Sequence, residues 1–203
     1  MFPFDVILFD IGGVLLTNGW DRRERGVVLD RFGIDRAVFE GRHREAYRAW
    51  ERGVIPLETY LDSTVFYEPR TFTHDEFFQA ICAGSQLLPD GALGILQELA
   101  ASDRCMLGAM NNEARETNAF RFQQFELNQY FQVILSSCFL HLRKPDLAMF
   151  HRSLDLLGRP AERILLIDDR EENTLAAVEV GMKAIRFENA EGLRRDLDSL
   201  GVL

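Results

Sequence analysis

The hydrophobic pattern of this chain has two regimes. Val6-Ile7-Leu8-Phe9 is an unbroken apolar run that stops at a carboxylate, Asp10, and is soon followed by Gly12 and Gly13. An apolar run of about four to eight residues closed by glycine suits a strand buried on both faces of a parallel sheet. From Trp20 to about Gly84 the pattern changes, and apolar residues recur at steps of three and four among charges. Helices are expected over Asp35–Trp50, Leu57–Phe66 and His74–Cys82. Gly53 closes the first and Pro56 opens the second, while Thr73-His74-Asp75-Glu76 starts the third with acid in its first turn. The region reads as an insertion of about four short helices.

Beyond Pro89 the chain alternates. A helix to about Ala101 is followed by strands at Cys105–Met110, Phe131–Ser136, Arg163–Ile167 and Ala184–Phe187. Helices over Asn112–Phe125, Leu147–Leu157, Glu171–Val180 and Glu191–Leu200 separate and follow them. Such alternation implies an α/β fold, with one parallel sheet of five strands covered on both faces. No G-x-G-x-x-G fingerprint is present, which argues against a dinucleotide.

Composition narrows the classes. The chain has 203 residues, 47% hydrophobic and 27% charged, enough for one large domain or a domain with an inserted module. Its net charge of -9 argues against nucleic acid as a partner, but not against a small phosphate ester. Cys82, Cys105 and Cys138 are odd in number and widely spaced, so they read as thiols in a reducing compartment. No basic segment precedes the first apolar run, and no apolar stretch approaches the roughly 18 residues of a membrane span. A cytoplasmic protein without membrane attachment is the expectation. His43, His74, His141 and His151 show no ligand spacing and read as surface or structural.

In open parallel sheets, ligands bind beyond the carboxyl ends of the strands. Four of the expected strands lead there into polar groups: Asp10, Asn111-Asn112, Arg143-Lys144-Pro145-Asp146, and Asp168-Asp169. Each has a bland reading alone, Asp169 as a helix cap or Lys144 as a loop residue. Together, three carboxylates at one edge call for a hard divalent cation, and magnesium takes oxygen ligands from one or two carboxylates plus phosphate and water. Lys144 can set a point charge against a carboxylate and a phosphoryl oxygen. A carboxylate nucleophile, an ammonium and magnesium are the parts that phosphoryl transfer needs.

Four segments, F-D-I-G-G-V-L at 9–15, G-A-M-N-N at 108–112, R-K-P-D at 143–146 and L-I-D-D-R-E-E-N at 166–173, resemble the haloacid dehalogenase-like hydrolases. The branch is the one with a helical cap after the first motif. The resemblance implies a Rossmann-like core from residues 1–16 and 89–203 and a cap from 17–88. It implies Asp10 as nucleophile through a phospho-aspartyl intermediate, Lys144 steadying the charge, and magnesium held by Asp10, the Gly12 carbonyl and Asp168, with Asp169 close by. Asn173 would support that site, and Asn111, Asn112 and Gly12 would contact substrate. The implied function is magnesium-dependent hydrolysis of a small phosphomonoester.

Two positions depart from the family pattern. Gly12 stands where such phosphatases carry the Asp that protonates the leaving group and later activates water. A positioned acid or base is worth roughly 10²–10⁴ in rate, so anomeric, acyl or aryl phosphates are the favoured substrates. Met110 stands where the family places a Ser or Thr hydroxyl, and a thioether is only a weak acceptor. These losses motivate a rival reading, a catalytically weak or inactive member that binds a ligand. A 2-haloacid dehalogenase is third, disfavoured by Asp168-Asp169. Trp20, Arg22 and Arg23 follow the first motif and would either face the site or form a solvated helix face.

Overall fold

The computed structural model describes residues 2–203. Among the described residues, five strands form one all-parallel sheet: β1 (Val6–Phe9), β2 (Met106–Asn111), β3 (Val133–Ser136), β4 (Ile164–Asp168) and β5 (Lys183–Arg186), in the order β3-β2-β1-β4-β5. The five-stranded α/β architecture is as expected. β1 lies at the centre, with Phe9 level with Ala109 of β2 and Ile167 of β4. The ends of these three strands are thereby brought together.

The unbroken apolar runs have a direct cause. Ile7, Phe9, Leu107, Ala109, Leu165 and Ile167 enter one core layer, while Val6, Leu8, Met110, Leu135, Ile164 and Leu166 enter the other. With period two and both faces covered, every position must be apolar. The first layer is closed by α5 (Leu93–Ser102), α6 (Arg115–Gln124) and α10 (Ala190–Ser199), and the second by α8 (Leu147–Leu157) and α9 (Glu171–Glu179). The helix expected from Pro89 starts later. Gly91 N–H bonds to Leu88 O at 3.0 Å in a turn, and Ala92 N–H to Val14 O at 2.8 Å ties the chain to the core first. A short helix, α7 (Ser137–Leu140), follows β3 directly. It was not expected, because four residues carry no periodicity.

Between β1 and α5 lie α1 (Arg22–Arg31), α2 (Arg36–Glu51), α3 (Leu57–Thr64) and α4 (His74–Ala83). Asp35 caps α2 through Val38 N–H at 2.9 Å, and Thr73 and Glu76 form a reciprocal capping box on α4. These helices gather their own core around Trp20, Phe39, Trp50, Tyr60 and Phe77. His43 belongs to it: its Nδ1 lies 2.8 Å from the Tyr60 hydroxyl, and burial together with Arg25 lowers its pKa to about 3. That histidine is structural.

Two paired connectors join the helices to the sheet. Thr17 N–H bonds to Gln86 O at 2.9 Å and Leu88 N–H to Leu15 O at 3.0 Å. Further contacts hold the helices over the sheet edge. Glu116 accepts from Trp50 Nε1 at 2.8 Å and from Leu57 N–H at 3.1 Å, and Ser137 Oγ donates to Glu51 O at 2.7 Å. Gly53 has φ 65°, and a Cβ there would collide with the Cys138 carbonyl.

Candidate active site

Asp10 sits one residue beyond β1, its N–H held by Ile167 O at 2.8 Å and its own Oδ1 accepting Ile11 N–H at 2.7 Å. Asp168 is the last residue of β4. Lys144, 1% exposed, reaches between them, with Nζ 2.5 Å from Asp168 Oδ2, 3.2 Å from Asp10 Oδ2 and 2.5 Å from the Met110 carbonyl. Asp168 Oδ1 accepts from Arg170 N–H at 2.9 Å and Asn173 Nδ2 at 2.8 Å. Asn173 therefore fixes the Asp168 carboxylate. Asp169 does not cap α9, so the bland reading of that residue fails. One of its oxygens is buried without a hydrogen-bond partner.

The motif residues at 110–112 take unexpected positions. Met110 is fully buried and packs in the core layer with Val6, Leu8 and Leu135. Its thioether is core filling, and its carbonyl serves Lys144. Asn112, expected to contact substrate, lines the pocket, and both ends of its amide hold the Lys144 backbone: Nδ2 donates to Lys144 O and Oδ1 accepts Lys144 N–H, each at 2.8 Å. Asn111 lines the pocket. Its Nδ2 donates to Asn118 Oδ1 at 2.9 Å, leaving its own Oδ1 buried and unpartnered.

Burial pushes the Asp10 carboxyl up to about 7; Lys144 opposes this and Asp168 and Asp169 reinforce it. Burial and Asp168 likewise raise Asp169. For Lys144, burial favours the neutral amine, but Asp10 and Asp168 more than offset it and hold the ammonium charged. One ammonium thus serves three crowded carboxyls. Oxygen atoms of Asp10, Asp168 and Asp169 lie within 4.8 Å of one another, a hard donor set that fits a small divalent cation. Gly13 allows this closeness. It has φ 75°, and a Cβ on it would collide with the Asp169 carboxylate.

At Gly12, a Cβ would meet Asn18 Oδ1 at 2.8 Å and approach Arg121 Nη1 at 3.7 Å. No acid is positioned there. Arg121 is locked elsewhere, against Glu113 Oε2 at 2.7 Å, Ser85 Oγ at 3.1 Å and the Thr17 carbonyl.

Asp10, Gly12, Asn111, Lys144 and Asn173 line one pocket of about 220 Å³ under the helical insertion. Trp20, Arg25, Tyr47 and Glu51 enter from the insertion, and Glu113, Arg121, Arg143 and Arg170 from the sheet side. Trp20 thus faces the site, whereas Arg22 and Arg23 are solvated. Arg25, Glu51, Glu113 and Arg121 escaped sequence reasoning, because packing alone brings them here. The signal available was faint: Glu51 follows Trp50 at the end of an expected helix, and Glu113 follows the Asn pair.

Comparison with known proteins assigns the family. The model of the haloacid dehalogenase-like hydrolases matches residues 4–181, and the chain belongs to that family. It is 30% identical to flavin mononucleotide hydrolase 1 of Arabidopsis thaliana, a chloroplast protein, over 97% of this chain and 78% of the relative. It is 26% identical to a sesquiterpene phosphatase of Aspergillus oryzae over 91% of this chain and 90% of that one. A haloacid dehalogenase family enzyme of Bacteroides thetaiotaomicron, solved as a magnesium complex, superposes with a TM-score of 0.80 at 19% identity, covering 96% of this chain and 98% of the other. Among the described residues no helix is long and apolar enough to cross a membrane.

Proposed function

We propose that this chain is a magnesium-dependent phosphatase that hydrolyses a small phosphomonoester through an aspartyl phosphate on Asp10. The observation that carries the proposal is Lys144, buried between Asp10 and Asp168 with Asp169 beside them, at the floor of an enclosed pocket. The two curated relatives act on dissimilar organic groups, a flavin nucleotide and a sesquiterpene. The first is a hydrolase and the second a phosphatase, and hydrolysis of a phosphate ester is the reading carried over to this chain.

Asp10, Asp168, Asp169 and the Gly12 carbonyl would hold magnesium, which supplies neutralisation of charge on the transferring phosphoryl group. Asp10 attacks phosphorus with a carboxylate oxygen, and the bond to the leaving oxygen breaks. Lys144 keeps the nucleophile ionised and oriented. Asn111 serves the phosphoryl group if its amide and that of Asn118 are both turned over. The bond between them is then kept, and an NH₂ donor faces the pocket instead of an unpaired oxygen. That donor stands in for the hydroxyl missing at Met110.

The pocket of about 220 Å³ is smaller than the roughly 300–1,000 Å³ typical of drug-sized ligands. Compact phosphate esters suit it as it stands, whereas a flavin nucleotide requires the cap to move away from the sheet. The cytoplasmic setting rests on the three free cysteines; the chloroplast address belongs to the plant relative.

p-Nitrophenyl phosphate is the first substrate to try, because its leaving group hardly needs protonation. Magnesium-stimulated turnover that a chelator abolishes is the expected result. Chelator-resistant halide release from 2-haloacids would favour the dehalogenase. Tight phosphate binding without any turnover would favour the non-catalytic reading. Gly13→Ala tests the metal site separately. The strain at φ 75° costs roughly 1–2 kcal/mol, and displacement of Asp169 should raise the magnesium concentration that gives half-maximal rate. An unchanged magnesium titration would contradict the role given to Asp169.

A further inference from the structure

The pocket holds an acid that nothing in the first motif supplies. Its carboxyl groups, Asp10 aside, are those of Asp21, Glu51, Glu113 and Glu172. Asp21 and Glu172 are exposed. Glu113 is engaged on both oxygens, by Thr117 Oγ1 at 2.6 Å and Arg121 Nη1 at 2.7 Å. Glu51 differs from all of these. It is 4% exposed, it lines the pocket from the last turn of α2, and its Oε2 is buried with no hydrogen-bond partner. Arg143 Nε lies 3.0 Å from that oxygen as an ion pair, without the alignment of a hydrogen bond. A buried carboxyl oxygen held by an ion pair but by no aligned hydrogen bond is left free to take a proton or to meet a ligand.

We infer that Glu51, carried on the cap, is the general acid and base that Gly12 cannot be. The inference rests on the phosphatase reading above and deepens it. In the first step an Asp10 oxygen bonds to phosphorus, and the leaving oxygen departs with the bonding pair and takes the Glu51 proton, giving an alcohol and a Glu51 carboxylate. In the second step water bonds to phosphorus and yields a proton to Glu51. The bond from phosphorus to the Asp10 oxygen breaks, and its electron pair restores the carboxylate. The cycle closes with Glu51 protonated and inorganic phosphate released.

The surroundings of Glu51 suit the task. Burial raises its pKa, Glu113 adds to this, and Arg143, Tyr47 and Arg170 pull the other way, the net being upward. The carboxyl is therefore readier than an ordinary glutamate to arrive protonated. The backbone is fixed too, since Glu51 O accepts the Ser137 Oγ proton across the interface between cap and core. The acid is consequently in place only when the cap is seated. A Cβ at Gly12 would meet Asn18 Oδ1 at 2.8 Å, so a larger residue fits there only if Asn18 yields, and the acid works instead from the α2 side of the pocket.

The test compares Glu51→Gln with wild type on p-nitrophenyl phosphate and on an alkyl phosphate such as glycerol phosphate, with magnesium present. The variant is nearly isosteric and removes only the charge and the transferable proton. On the alkyl ester kcat should fall about 10²–10⁴-fold. On the aryl ester the first step should survive, giving a burst of one nitrophenol per site followed by slow turnover, with phospho-aspartate accumulating. Gly12→Asp added to Glu51→Gln should restore part of the alkyl activity. Equal losses on both esters with no burst would mark Glu51 as merely structural and overturn the inference. Undiminished alkyl turnover in Glu51→Gln would overturn it as well, with the phosphatase reading intact. Failure of the wild type on every phosphate ester would instead remove that reading, and this inference with it.

Discussion

Asp10→Asn is expected to abolish phosphate-ester turnover, by at least ~10³-fold, while leaving the fold intact. The amide keeps the shape of the carboxylate and can still meet the Ile11 N–H, but it is no nucleophile toward phosphorus. Stability should move the other way. Burial raises the Asp10 carboxyl to about 7 in the folded chain, from about 3.9 in an unfolded one. The folded state therefore binds more protons between those values, and this carboxyl's contribution to stability is lost as pH rises through that window. Asn carries no such penalty. With metal chelated, the variant should melt higher than wild type at pH 8, and its advantage should shrink toward pH 4. Melting curves at the two pH values check this, and a variant less stable than wild type at pH 8 would contradict the charge crowding described here.

Lys144→Met should have the second largest effect, and here activity and stability fall together. The Lys144 side chain is buried and bridges two carboxylates. Methionine fills similar volume but leaves Asp10 and Asp168 facing each other without the ammonium. Removing one partner of a buried ion pair typically costs about 3–5 kcal/mol. Asp10, whose carboxyl Lys144 pulls down in the wild type, must then titrate higher. The folded variant gains protons more readily than the unfolded chain, so its deficit should narrow as pH falls. Turnover should drop at least ~10³-fold, since neither the nucleophile nor the phosphoryl group keeps its counter-charge. Denaturant unfolding at neutral and acidic pH, beside the activity assay, separates these effects. Near-normal turnover with normal stability would show that the ammonium is dispensable.

The sheet was readable from the chain because both of its faces are covered. Val6–Phe9 and Ile164–Ile167 are uninterrupted apolar runs for that reason, and the carboxylates that end them stand out. The inserted helices were readable from capping residues such as Asp35 and Thr73, whose partners lie three residues away. Boundaries were less legible where distant contacts set them. The late start of α5 depends on Val14, which holds Ala92 from across the core. The candidate site divides in the same way. Asp10, Asp168 and Asp169 could be named because strand ends put them at one edge, and Lys144 because it lies in the R-K-P-D segment that follows β3. The employment of Asn112 by the Lys144 backbone could not, since its partner lies 32 residues away. Glu51 and Glu113 carry only a faint local signal, and Arg121 none. Only the packing of the inserted helices against the sheet makes neighbours of the end of α2 and the loop before Pro145.

The central claim is that phosphate passes through Asp10, and the most direct measurement is mass spectrometry of protein quenched during turnover. Wild type mixed with magnesium and p-nitrophenyl phosphate, stopped rapidly in acid and digested, should yield the peptide containing Asp10 with the added mass of one phosphoryl group. Asp10→Asn treated identically should yield none and should release no nitrophenol. Turnover that persists in Asp10→Asn, or a phosphoryl group found on another residue, would contradict the account.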